Sequence, residues 1–168
     1  MTGALEVGAR FENAVVCLHA DCDPRVLVLD LETRHLAPEE AAARVRECCA
    51  AAHAEVIYKK TDSTLRGNIG AELGALPAGK IHYVPAAAAQ GRTVKDGKLY
   101  VYGVPVHESA FGKDPTQPVT DNDIRAVLAR QGAPLERIEI HDGVIDGDVH
   151  AAAKKILKEP GVRLAAGP

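Results

Sequence analysis

The chain has 168 residues and a formal net charge of −3 at pH 7, and 46% of its residues are apolar. That length and composition are typical of one globular domain with a hydrophobic core. The acidic balance and the lack of Lys or Arg runs exclude non-specific binding to nucleic acid or to an anionic membrane, and no segment is apolar enough to predict a transmembrane helix.

Short apolar runs alternate with helical patterns along most of the chain. The apolar runs are continuous rather than alternating, which predicts strands that are covered on both faces. The predicted strands are 14–18, 26–30, 55–59, 81–85, 137–140 and 162–165, and the predicted helices are 4–12, 38–52, 68–76, 121–131 and 147–158. This alternation predicts a doubly wound α/β fold with a mostly parallel sheet and flanking helices.

One segment breaks the alternation. Residues 95–98 read Lys-Asp-Gly-Lys, a turn signal, and an apolar and aromatic run follows at 99–106. Pro115 and Pro118 then predict an irregular loop. We therefore predict a protruding hairpin arm over about 95–118.

The two ends of the chain lead to an expectation about its domains. The chain opens on a helical pattern, whereas sheets of this kind normally open with a strand, and it ends with a strand that runs into Gly167 and Pro168. We expect residues 1–168 to form a single domain that lacks its first strand and a C-terminal domain.

The four cysteines, Cys17, Cys22, Cys48 and Cys49, show neither metal-ligand spacing nor a redox Cys-x-x-Cys motif. They are expected to be small buried or half-buried thiols, and no metal site is predicted. Residues 1–6 lack the basic start and apolar core of a signal peptide. Both observations favour the cytoplasm as the location.

Polar side chains follow three successive predicted strands. The segments are 30–34 (Asp-Leu-Glu-Thr-Arg), 59–68 (Lys-Lys-Thr-Asp-Ser-Thr-Leu-Arg-Gly-Asn) and 90–93 (Gln-Gly-Arg-Thr). Ligands of open parallel sheets bind beyond the carboxyl ends of the strands. We therefore expect Arg34, Asp62, Ser63, Arg66 and Arg92 to converge on one cleft.

The residue types in these loops favour a small, polyhydroxylated anion as the ligand. An arginine grips a carboxylate with two parallel hydrogen bonds, Asp and Ser bind hydroxyls, and glycine lets backbone amides come close. Simpler interpretations remain open. Arg34 could be a solvated surface residue, residues 61–64 could form only a turn and a helix cap, and residues 90–92 could form a plain loop. Arg66 could pair with a structural acid such as Glu72.

The segment 59–70, Lys-Lys-Thr-Asp-Ser-Thr-Leu-Arg-Gly-Asn-Ile-Gly, resembles the signature of the N-terminal domain of the four-carbon acid sugar kinase family. Further segments downstream resemble that family in the same order, namely residues 90–93, 99–108, Phe111, 114–115 and 118–119. Upstream, residues 30–34 resemble it as well. Two segments differ: Met1-Thr2-Gly3 stands where the family has Asp-Asp-x-Thr-Gly, and Ala87-Ala88 stands where it commonly has Phe-Pro.

The resemblance implies an ATP-dependent kinase that phosphorylates threonate, erythronate or keto-tetronates in the cytoplasm. It implies that this chain binds the sugar acid, while ATP and Mg²⁺ are bound mainly by a C-terminal nucleotide-binding domain, in cis or as a separate chain. The substrate-binding residues that it implies are Arg34, Lys60, Asp62, Ser63, Arg66, Gly91 and Arg92. No catalytic base is assigned, the isolated chain is expected to be inactive, and a homo-oligomer is compatible with the sequence.

Two other functions compete with the kinase. One is a non-catalytic sugar-acid-binding or regulatory module, and the other is a generic nucleotide-binding α/β protein. A neighbouring reading frame that encodes a Gly-rich nucleotide domain would favour the kinase, and its absence would favour the binding module.

Overall fold

A computed structural model describes residues 2–18, 25–52, 54–161 and 163–168. Met1, Cys22 and Val162, which the sequence interpretation used, lie outside the described residues. The main sheet has four parallel strands in the order β3-β9-β4-β8. These strands are β3 (Val56–Lys60), β4 (Ile81–Tyr83), β8 (Ile138–Ile140) and β9 (Arg163–Gly167). The predicted α/β fold with a mostly parallel sheet is therefore confirmed.

A smaller pair of parallel strands forms a second sheet near the start of the chain. It consists of β1 (Val15–Cys17) and β2 (Leu27–Leu29), beside helix α1 (Thr2–Gly8). A Cβ atom on Gly8 would lie 2.5 Å from Cγ2 of Val16. The absence of a side chain at Gly8 thus allows the end of α1 to pack directly on β1.

Four further helices cover the main sheet. They are α2 (Pro38–Ala51), α3 (Ile69–Gly74), α4 (Ile124–Arg130) and α5 (Asp146–Ile156). Pro38 occupies the first turn of α2 and Glu39 and Glu40 follow it, as predicted for a helix start. Helix α4 begins at Ile124 rather than 121 because the Asp123 carboxylate accepts a hydrogen bond from the Ala126 amide at 2.9 Å.

The main core lies between the sheet and helices α2, α3 and α4. Tyr83 of β4 and Leu164 of β9 are buried there with Leu73 of α3 and Leu128 of α4. Because side chains alternate along a strand, His82 points to the opposite face of the sheet from Tyr83. Helix α5 lies on that opposite face, where its Lys155 contacts Glu139 of β8.

The predicted hairpin is present, but it belongs to a three-stranded antiparallel sheet that packs on the domain. The strands are β5 (Arg92–Lys95), β6 (Lys98–Val101) and β7 (Val104–Pro105). Asp96 and Gly97 form the β5–β6 turn with φ of 52° and 70°. The predicted protrusion needs correction, since Val94, Leu99 and Val106 are fully buried in the core.

The prediction of half-buried cysteines holds for those that the structure describes. Cys48 and Cys49 are half-buried free thiols, and Cys17 is half-buried. Within the described part of the chain, every helix is too short or too polar to cross a membrane.

Candidate functional site

The loop between β3 and α3 is folded around the carboxylate of Asp62. The Oδ1 atom of Asp62 accepts hydrogen bonds from the amide and the hydroxyl of Thr64, at 2.9 and 2.5 Å. Leu65 and Gly67 adopt positive φ angles of 68° and 88°, which reverse the chain just before α3. This short-range turn, of the kind that Asp side chains favour, presents the loop at the carboxyl end of β3.

Two arginines from different segments grip the same Asp62 carboxylate. Arg34, which follows β2, donates from Nη2 to Oδ2 at 2.7 Å. Arg66 donates from Nη2 to Oδ2 at 3.0 Å and from Nε to Oδ1 at 3.3 Å. Arg34 is therefore in direct contact with Asp62, as the convergence prediction required.

Asp62 is ionised in this environment. Its side chain is only 7% exposed, and burial alone would raise the pKa of the carboxyl. The hydrogen bonds from Arg66 and Thr64 outweigh burial, so the pKa lies below its ordinary value. The carboxylate therefore acts as a fixed negative anchor for the two guanidinium groups.

Arg66 also reaches a third segment of the chain. Its Nη1 donates to Oδ2 of Asp114 at 2.8 Å, and Oδ1 of Asp114 accepts from the amides of Thr116 and Gln117, both at 3.0 Å. The Gln117 amide, Arg66 and Thr116 together hold the pKa of Asp114 well below its usual range. All three guanidinium nitrogens of Arg66 thus hold carboxylates of the protein itself.

Arg92 joins the same cluster through an aromatic ring. The Cζ atoms of Arg66 and Arg92 lie 5.0 and 5.6 Å from the centroid of Phe111, and Arg92 lies 5.6 Å from that of Tyr102. Arg92 Nη1 donates to the Gln90 carbonyl, while its Nε is buried without a hydrogen-bond acceptor among the described residues. We call the residues Arg34, Asp62, Arg66, Arg92, Phe111 and Asp114 the arginine cluster.

Gly91 allows the close approach that this loop requires. It has a φ of 72°, and a Cβ atom there would lie 2.3 Å from the ring of Tyr102. The Tyr102 amide donates to the Gly91 carbonyl at 2.7 Å. Any side chain at position 91 would therefore push Tyr102 away from Arg92.

Lys60 and Ser63 flank Thr61 and Asp62 in the chain, and their side-chain polar groups have no hydrogen-bond partner among the described residues. Lys60 ends β3, and a Cβ atom on Gly3 would lie 3.1 Å from its Cε, so Lys60 runs along α1. Neither Lys60 Nζ nor the Ser63 hydroxyl is bonded to another described residue, and both residues are half-buried. Both groups are available to a ligand.

The neighbouring Lys59 has a structural role instead. Its Nζ lies 2.8 Å from Oε2 of Glu72, and the Thr33 hydroxyl donates to the same carboxylate. Glu72 is therefore occupied by Lys59 and Thr33. Arg66 does pair with acids of the protein, as the structural alternative for it predicted, but these acids are Asp62 and Asp114 instead of Glu72. The site-forming role of Asp114 and Phe111 was not predicted, because they come from a loop about fifty residues beyond Asp62 that no short-range pattern connects to it.

The arrangement is suited to an anion that also carries hydroxyl groups. Three arginines face two aspartates in the arginine cluster, which leaves an excess of positive charge before Lys60 is counted. Nε and Nη1 of Arg34 make no hydrogen bond to a described residue, and its side chain is 49% exposed. A groove of about 970 Å³ lies elsewhere, along β8 and the β5–β6 turn, and it contains none of these residues.

Comparisons with known proteins agree with this chemistry. The model of a family described as a sugar-binding N-terminal domain matches residues 1–165. The D-threonate kinase of Salmonella typhimurium is 37% identical over 148 residues, which are 80% of this chain and 34% of the kinase. The 3-oxo-tetronate kinase of Methylobacterium radiotolerans is 36% identical over 147 residues, which are 80% of this chain and 35% of that kinase.

A solved structure resembles the whole chain. It is a domain of unknown function from Bordetella bronchiseptica, crystallised with bound citrate as a domain-swapped dimer. The two share 30% sequence identity with a TM-score of 0.81, over 99% of this chain and 51% of that one. The chain spans about a third of the length of the curated relatives that it matches.

Proposed function

The chain belongs to the family of sugar-binding N-terminal domains, and from this premise we propose that it is the sugar-acid-binding half of an ATP-dependent kinase. The substrates would be four-carbon sugar acids such as threonate, erythronate or keto-tetronates. The resemblance recognised in segment 59–70 is thereby confirmed at the level of the family. Its kinase relatives, whose names include threonate and oxo-tetronate, support the substrate class.

The proposal rests on the hydrogen bonding of the Arg34 guanidinium. Asp62 fixes the guanidinium through one nitrogen, while Nε and Nη1 remain without a partner among the described residues. A guanidinium held in this way pairs with a carboxylate at little further entropic cost. The citrate bound to the Bordetella structure is a carboxylate ligand and is compatible with this role.

The other groups have complementary roles in the proposal. Arg92 would meet the substrate carboxylate or the phosphoryl group in transfer, Lys60 a nearby anionic group, and the Ser63 hydroxyl a substrate hydroxyl. Gly91 would let the backbone approach the ligand. Arg66 and Asp62 would act mainly by positioning, because each is already engaged by the protein.

The nucleotide half of the reaction would be supplied by other residues. The sequence offers no glycine-rich phosphate loop, so the described residues do not fit ATP and its Mg²⁺. The relatives are about three times as long as the matched segment, which leaves room for a C-terminal nucleotide-binding domain. Phosphoryl transfer depends chiefly on positioning and charge neutralisation, and this chain would position the attacking hydroxyl.

Calorimetric titration of the 168-residue chain with D-threonate, D-erythronate and 3-oxo-tetronate tests the proposal. We expect saturable binding of at least one of them and no turnover with ATP alone. Adding the C-terminal domain of a relative should produce phosphorylated sugar acid. A chain that binds none of these acids lacks the proposed site, and turnover by the chain alone contradicts the division into halves.

A further inference from the structure

A second polar cluster lies on the α5 face of the main sheet, away from the arginine cluster. His82 of β4 and Glu139 of β8 are register partners, so their side chains share a face of the sheet. His141 follows β8, and its amide donates to the Tyr83 carbonyl at 2.9 Å. We call His82, Glu139, His141 and Glu159, which follows α5, the histidine cluster.

The ligand atoms in this cluster are spaced as they would be around one metal ion. His82 Nδ1 lies 3.0 Å from His141 Nε2, and Glu139 oxygens lie 3.7 Å from the first nitrogen and 3.8 Å from the second. Two zinc–nitrogen bonds of ordinary length at a tetrahedral angle place the nitrogens about 3.3 Å apart. The three groups therefore converge on a point that a zinc ion fits with small side-chain adjustments.

Glu159, the fourth member of the cluster, determines which ring nitrogen of His82 carries the proton. His82 is only 1% exposed, and its Nε2 lies 2.8 Å from Oε2 of Glu159. An ionised carboxylate only accepts hydrogen bonds, so in neutral His82 the Nε2 atom carries the proton and Nδ1 presents a lone pair. A carboxylate behind a histidine is the usual outer partner of a zinc-binding imidazole.

We infer that His82, Glu139 and His141 form a binding site for a transition-metal ion of the zinc type, with Glu159 as the outer partner of His82. Two nitrogen ligands and one oxygen ligand are the donors that zinc prefers, and a fourth position is left for water. The ion would connect β4 to β8 inside the protein. None of these residues takes part in the proposed sugar-acid site.

Two lysines compete with the ion for Glu139. Lys155 Nζ lies 2.6 Å from Glu139 Oε1, and Lys80 contacts Oε2. Both lysine side chains are at least half exposed, so each can turn to solvent when an ion binds.

Zinc titration of the untagged, chelator-treated 168-residue chain tests the inference. Calorimetry should show one equivalent of Zn²⁺, and Co²⁺ should give the visible absorption bands of a tetrahedral site. Glu139→Gln and His141→Asn should each weaken binding tenfold or more. His150→Ala, which removes an exposed histidine of α5, should leave the stoichiometry and affinity unchanged.

Removing the competing lysine gives the sharpest outcome. Lys155→Met should tighten zinc binding several-fold, because Glu139 no longer has to be released from that lysine. Glu159→Ala should weaken it about 10- to 100-fold through the orientation of His82. The inference is overturned if the wild-type chain binds no stoichiometric Zn²⁺, or if folded Glu139→Gln and His141→Asn variants bind it as well as the wild type does.

Discussion

The arginine cluster and the histidine cluster differ in how the chain assembles their centres. At the centre of the first, Asp62 and Arg66 come from one loop, and the turn that Thr64 closes on Asp62 fixes their geometry. In the second, His82 and His141 are 59 residues apart and meet only because β4 pairs with β8. Local assembly leaves a motif in the sequence, whereas assembly through strand pairing leaves none.

The largest effect is expected at the anchor of the arginine cluster. Asp62→Ala leaves two guanidinium groups without their carboxylate, and breaking a buried ion pair from one side costs about 3 kcal/mol. Urea unfolding should show this loss, and sugar-acid binding should disappear with it. Asp121→Ala removes a half-buried partner of the exposed Arg130 and the hydrogen bond from the Asp123 amide, and it should cost less than Asp62→Ala because the charge left unpaired is exposed. Equal losses in the two variants would contradict an anchoring role for Asp62.

The two arginines on Asp62 should separate stability from binding. Arg66→Lys cannot reproduce contacts with both Asp62 and Asp114, and the loss of charged hydrogen bonds should cost about 1.5–3 kcal/mol of unfolding free energy. Arg34→Lys keeps one contact to Asp62, so stability should change by less than about 1 kcal/mol.

Sugar-acid affinity provides the second readout for this pair. Arg34→Lys should lower it roughly tenfold, because a lysine ammonium cannot replace a planar fork. Normal affinity in a folded Arg34→Lys variant would remove Arg34 from the proposed site. A stable Arg66→Lys variant with impaired binding would instead restore Arg66 as a direct ligand.

A pair of glycines isolates the contact that holds Arg92. Gly91 and Gly132 have φ angles of 72° and 71°, but only a Cβ atom at position 91 would meet another group, the Tyr102 ring. Both alanine variants should lose about 1 kcal/mol from the positive φ, and Gly91→Ala should lose more and bind sugar acid more weakly. Identical thermal unfolding and binding of the two variants would show that Tyr102 does not depend on Gly91.

The smallest effect on the free energy of unfolding is expected when the pH is lowered. A carboxyl whose pKa is lowered by folding stabilises the protein above its unfolded value, near pH 4, and that stability is lost as the pH falls through the folded value. Asp62 and Asp114 are both of this kind. Stability should therefore decline below about pH 4, with a shallower slope in Asp114→Asn. An unchanged slope would mean that Asp114 is not coupled to folding.

The sequence was informative where structure depends on neighbouring residues. It predicted the parallel strands and the start of α2 at Pro38, and the sheet-edge rule placed Arg34 and Asp62 in one cleft, though not in direct contact. Strand β5 was not predicted, because Val94 is its only fully buried residue and the apolar pattern is too weak. Asp114 and His82 were not assigned to sites because their partners are 48 and 59 residues away.

The ring of Phe111, which lies under both Arg66 and Arg92, has a mechanical consequence. The same aromatic ring contacts two loops that carry like charges. If either guanidinium moved away from the ring, part of the ring would be exposed to water. The Phe111 ring thereby links the loop that carries Arg66 to the loop that carries Arg92. The two guanidinium groups are therefore ordered before an anion binds. The free energy of the anion's contacts then contributes to affinity and is not offset by the entropic cost of ordering the chain.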